Sequence, residues 1–117
     1  MNKIIVLLLL IQLSSCKTYT KFNMNELSQS DTIYHLDLSN RNLKTQPDLS
    51  KFTIIELNIS KNRITTFDEN KLPKGIQKLN FSHNRISKRV VFRKERNLES
   101  VNFSNNKMES FYFTNGI

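Results

Sequence analysis

The residues with chemistry to offer fall into three sets. Cys16 is the single thiol of the 117-residue chain, so an internal disulfide is excluded. It follows Leu13-Ser14-Ser15 and an eight-residue apolar run at 4–11 that opens behind Lys3. That puts the chain's one thiol, a potential nucleophile, where an export signal would end. The second set is amides: Asn58, Asn80 and Asn102 recur at steps of 22 residues, and Asn62, Asn84 and Asn106 repeat the step four residues later. The third is a scatter of charge in the same phase, with Asp37, Lys61, Arg63, Lys78, His83, Arg85 and Lys107. Amides bind by hydrogen bonding and cannot trade protons near neutral pH, so these sets point to recognition. No phosphate-cradling glycine loop, paired-carboxylate signature or cysteine–histidine ligand set accompanies them. The expectation is a chain that is no enzyme and has no catalytic residue, metal or cofactor.

What positions these residues is an eleven-residue phrase said four times. Residues 76–86 state it best, with Ile76, Leu79, Phe81 and Ile86 at positions one, four, six and eleven and Asn84 at nine. The frame recurs at 54–64 and 98–108, and at 33–43 with Arg41 in place of the asparagine. Starts at 33, 54, 76 and 98 give steps of 21, 22 and 22 residues, a period that signals a solenoid. Positions four and six alternate with polar residues, so each phrase holds a short strand whose apolar side chains face inward. One such strand cannot bury its face alone. Stacking four supplies sixteen apolar core positions, each contributing about 1.5–3 kcal/mol on full burial before ordering entropy is subtracted. The outcome is a small fold of modest stability.

The pattern resembles the leucine-rich repeat over roughly residues 33–113. The resemblance implies an α/β-type solenoid of about four coils, with parallel strands on the concave face and irregular or 3-10 return arms. It also implies a role for Asn62, Asn84 and Asn106 as a buried ladder satisfying backbone groups where the chain leaves the sheet. Arg41 has no acceptor atom and cannot continue that ladder. A first coil without a neighbour on one side tolerates it. Leu27 and Phe22 are placed to cover that open end.

Leu13-Ser14-Ser15-Cys16 resembles the lipobox of bacterial lipoproteins. That family is cleaved before the cysteine, whose thiol is acylated. The apolar run suits a signal and is too short to span a bilayer. The organisation expected is thus a signal at 1–15, a lipidated tether and N-terminal edge at 16–32, and repeats over 33–117. Acyl chains on Cys16 would hold the protein at an outer membrane or cell surface, since each buried methylene adds about 0.8 kcal/mol. An ordinary secretory signal cut nearby, leaving a stray thiol, is the alternative. Removing Lys3 with the signal leaves 17 basic and 10 acidic residues, a net charge of +7. Such a balance attracts acidic polymers or lipid head groups, and export argues against nucleic acid.

The segments between strands carry their own signals. Pro47, Pro73 and Gly75 interrupt any long helix in the first two return arms. Phe67 and Phe111 both fall three residues after position eleven and are expected inside the arm. Residues 87–97 hold Lys88, Arg89, Arg93, Lys94 and Arg96 around Val90, Val91 and Phe92, which predicts a short helix or 3-10 turn with a solvated basic face. Beyond Met108 the aromatic run Phe111-Tyr112-Phe113 leads to Ile117, and a fifth strand would begin near 119. Three readings stand open there: a truncated frame, a tail folded over the last coil, or an edge that pairs with another chain in self-association.

Reading down the repeats gives columns. Asp37, Asn58, Asn80 and Asn102 form the fifth and Ser39, Ser60, Ser82 and Ser104 the seventh. His35, Glu56, Lys78 and Ser100 form the third, while Lys61 and His83 lie in the eighth and Arg63, Arg85 and Lys107 in the tenth. His35 and His83 thus sit two repeats apart in different columns and share neither proton nor metal. Tyr34 and Ile55 are the bulky residues of the face, so tight aromatic anchoring is absent from it. The face reads as an amide and hydroxyl ladder with a basic edge, suited to a protein or polysaccharide partner. Asn and Ser as default fillers of the repeat is the alternative. The Asn-x-Ser matches at 58, 80 and 102 fit a glycosylation pattern only because those two columns recur.

Overall fold

A computed structural model describes residues 25, 27–94 and 96–114. Residues 1–15, read from the sequence as an export signal, lie outside the described residues together with Cys16 and Phe22. The chain is a parallel-strand β-solenoid of about four turns with almost no helix. Strands β1 (Thr32–Asp37), β2 (Thr53–Asn58), β3 (Lys78–Asn80) and β5 (Ser100–Asn102) form one parallel sheet in that order. Their register follows the repeat: Leu36 sits opposite Leu57, Leu57 opposite Leu79, and Leu79 opposite Val101.

The core is the repeat's apolar frame stacked on itself. Ile33, Leu36, Leu38, Ile54, Leu57, Ile59, Ile64, Ile76, Leu79, Phe81 and Ile86 are buried. In the fourth coil only Phe103 reaches that state; Leu98, Val101 and Met108 are half-buried, because no described residue stacks beyond them. At the other end Leu27 is buried against the cluster.

Each position-nine asparagine serves the coil before its own. Asn62 Oδ1 accepts the N–H groups of Arg41 and Leu43, both at 2.9 Å, while its Nδ2 donates to the Leu38 carbonyl at 3.0 Å. Asn84 accepts from Ile64 N–H and donates to Ile59; Asn106 accepts from Ile86 N–H and donates to Phe81. Arg41 stands at the coil whose strand β1 ends the sheet, so no earlier strand needs that service.

The return arms differ from the α/β-type expectation. The second arm holds a 3-10 turn at Glu69–Lys71, capped by Asp68 Oδ1 accepting from Asn70 N–H. The third and fourth arms are extended: β4 (Val90–Phe92) pairs in parallel with β6 (Phe111–Phe113) in a second, two-stranded sheet. The helix or 3-10 turn expected within 87–97 is therefore a strand. Val90 and Phe92 are buried and Val91 is half-buried between them, a period of two that suits β-branched and aromatic residues. Phe67, Phe81, Phe92, Phe103 and Phe111 form one aromatic cluster, with Phe81 and Phe103 stacked at 5.2 Å and Phe67 edge-on to both. In the first arm the Gln46 amide brackets the backbone of Asp68, accepting from its N–H at 2.8 Å and donating to its carbonyl at 3.0 Å.

Candidate functional site

The fifth-position column is brought into register by the sheet, Asp37 against Asn58, Asn58 against Asn80 and Asn80 against Asn102. Each side-chain Oδ1 is occupied within its own turn. It accepts the N–H of the serine two residues on, at 2.9–3.0 Å, for Ser39, Ser60, Ser82 and Ser104. The hydroxyls of Ser60 and Ser104 donate to the same oxygens. These are Asx turns, which end the strand and fix the amide plane. The Nδ2 groups of Asn58, Asn80 and Asn102 donate to no described residue.

The third column is linked side chain to side chain across three coils. Glu56 lies between His35, with Nδ1 to Oε1 at 3.4 Å, and Lys78, with Nζ to Oε2 at 3.5 Å. All three are well exposed, so the pairs contribute at most about 1 kcal/mol and serve mainly to order the face. With Asn58, Asn80, Ser100 and Asn102 they line a shallow open depression on the sheet. Tyr34, 69% exposed, stands at the start of this face in the first coil. Ile55 is half-buried beside Gly75.

Lys61 and His83 of the eighth column stand at a backbone turn. Both sit in the left-handed region, at φ 57° and 56°, as do Asn40 and Asn105. The eighth position is where the chain turns out of the sheet, and asparagine and histidine tolerate that conformation better than most residues. Arg63, Arg85 and Lys107 lie exposed two residues further on. The structure therefore gathers Asp37, Asn58, Asn80, Asn102 and Lys78 on the sheet and sets the remaining cations along its rim.

Sequence reasoning missed Glu69. Its carboxylate is buried, and its two oxygens accept the backbone N–H of Arg93 at 2.8 Å and of Lys94 at 2.9 Å. Arg96 adds an ion pair at 3.4 Å and donates to the Glu69 carbonyl. Burial acts to raise the pKa of Glu69, but the two N–H groups and Arg96 outweigh it and hold the group below the usual carboxylate range. The residue staples the third arm to the second. Beside it an open hollow is lined by Phe67, Asp68, Lys88, Arg89, Val91 and Tyr112, with charges of both signs.

Among the described residues no group of three or more histidine, cysteine, aspartate or glutamate side chains converges on a metal position, and no helix is long and apolar enough to cross a membrane. No protein-family model, no curated protein and no solved structure matches the chain.

Proposed function

We propose that the chain is a leucine-rich-repeat-type recognition module, exported and held at a bacterial outer membrane or cell surface by an acylated Cys16. Its sheet face binds a protein or polysaccharide. The observation that carries the binding half is the pair of in-register polar columns on the sheet, Asp37 followed by three amides in one and His35, Glu56, Lys78 and Ser100 in the other. The Asx turns use the amide oxygens alone, so the Nδ2 donors of Asn58, Asn80 and Asn102 stay available to a ligand. The repeat frame with its bridging asparagines supports the family reading. Leu13-Ser14-Ser15-Cys16 after the apolar run supports the anchor.

Two experiments test the halves separately. The intact mass of the protein from its cells should fit a chain beginning at Cys16 with acyl groups; an unacylated chain cut elsewhere removes the membrane from the proposal. On arrays of glycans and proteins, wild type should select a partner that Asn80→Ala combined with Lys78→Glu loses. Undiminished capture by that variant would place recognition off the sheet face.

A second reading rests on the fourth coil. Phe103 N–H, whose equivalents in the earlier coils donate to the next strand, has no acceptor among the described residues, and Tyr112 and Phe113 are 40% and 39% exposed. Under it the array binds no ligand of its own and another chain completes its edge. Concentration-dependent association abolished by deleting residues 111–117 would favour it.

A further inference from the structure

At the tenth position coils two to four carry cations, Arg63, Arg85 and Lys107, and at the eighth they carry Lys61, His83 and Asn105, with no acid in either column. Backbone bonds keep both columns in register. Lys61 N–H donates to the Ser82 carbonyl and His83 N–H to that of Ser104, each at 3.0 Å. Arg63, Arg85 and Lys107 donate to Leu43, Ile64 and Ile86 of the preceding coil at 2.8–2.9 Å. The tenth-position cations thus stand one per coil, at the spacing of parallel strands, about 4.8 Å. Like charges in neighbouring register repel. No described acid pairs with Lys61, Arg63, Arg85 or Lys107.

The same coils contribute the fifth-position amides. Their oxygens are consumed by the Asx turns, and their Nδ2 groups are left as fixed donors. Cations at the tenth position and amides at the fifth each repeat once per coil as donors, and those columns hold no carboxylate after Asp37. Repetition once per coil matches a linear ligand whose acceptors also repeat.

We propose that these columns bind an acidic polysaccharide laid along the solenoid axis. Its anionic groups lie against Arg63, Arg85 and Lys107, and its neutral oxygens against Asn58, Asn80 and Asn102. The inference rests on the reading of the sheet as a recognition surface and narrows the ligand to one class. Single-stranded nucleic acid fits less well. Its bases need aromatic platforms, and the exposed aromatic of this sheet, Tyr34, stands at the opposite end of the first strand. An anionic bilayer offers a plane of charge, which leaves the amide row without a counterpart.

The test is calorimetric titration of the full chain with polygalacturonate, one carboxylate per sugar, and with neutral dextran. Two triple variants with equal charge change are compared: Arg63→Gln/Arg85→Gln/Lys107→Gln on the rim and Lys88→Gln/Arg89→Gln/Arg93→Gln on the return arm. Polygalacturonate should bind and dextran should not. The rim variant should lose at least about tenfold in affinity and the arm variant less than about threefold, both remaining folded by circular dichroism. Equal losses would reduce the effect to net charge and overturn the assignment, as would tighter binding to anionic vesicles or single-stranded DNA. A neutral glycan or a protein captured through Asn80 and Lys78, with polygalacturonate unbound, would sink this inference and leave the recognition module standing. Silence from every probe would remove both.

Discussion

Asn80 and Asn84 stand four residues apart and use their amides in opposite ways. Asn80 spends its oxygen on Ser82 of its own turn. Asn84 reaches into the preceding coil with both ends, binding Ile64 N–H and the Ile59 carbonyl at 3.1 Å each. Removing a buried amide leaves those groups desolvated and unpaired, at about 1–3 kcal/mol for each orphan. Asn84→Ala should therefore lower the unfolding free energy by about 3 kcal/mol in urea denaturation. Asn106→Ala, at a half-exposed site where water can replace the amide, should cost about 1 kcal/mol. Equal losses would show that the bonds to the preceding coil contribute little. The eighth position gives a change of opposite sign. Lys61 pays a backbone penalty at φ 57° that Asn40 and Asn105 tolerate at the same turn. Lys61→Asn should raise stability by up to about 1 kcal/mol in the same assay, with the sheet unaltered.

The return arms are held by different devices from those of the sheet, and pH separates them. Glu69 is a carboxylate whose folded pKa lies below its unfolded one. Its contribution is therefore fully present above the ordinary carboxyl value of 4.5 and is lost as pH falls through the depressed folded value. Glu69→Gln should cost about 2 kcal/mol at neutral pH and flatten the acid limb of the stability curve. An unchanged acid limb would mean that other carboxylates govern it. The arms were also the least legible part of the chain. Strands β1, β2, β3 and β5 announce themselves by apolar alternation in a 22-residue repeat, so fold and register could be read directly from residues such as Leu57 and Ile59. Strand β4 spans three residues flanked by Lys88, Arg89, Arg93 and Lys94, and its partner β6 lies a full turn away, so no local signal reveals the pairing. The site was half legible. Columns followed from the repeat, but the Asn-x-Ser spacing that makes Asx turns was read only as two recurring columns of a binding face or of default fillers. The left-handed turn at Lys61 and His83 was signalled only by the asparagines at 40 and 105.

Stability in a solenoid is close to a sum of coils and the interfaces between them, so the ends decide what the whole can bear. The two ends here are unlike. Leu27 covers the first coil, whereas Leu98, Val101 and Met108 of the fourth stay half-buried and Phe103 N–H donates to no described residue. A further coil would cover those side chains, and its position-nine asparagine would reach back to the Phe103 carbonyl as Asn106 does to Phe81. Following residue 108 with a second copy of 87–108 should therefore raise the melting temperature by more than about 5 °C, since about 1 kcal/mol shifts a domain of this size by 4–8 °C. A matched copy with arginine at position nine separates apolar cover from the amide bridge. It gains the burial without the hydrogen bonds, so it should fall short of the asparagine copy by about 1–3 kcal/mol in unfolding free energy. If the two copies melt together, hydrophobic stacking alone sets the order of the coils. Arg41 would then need no explanation from its place at the end of the sheet.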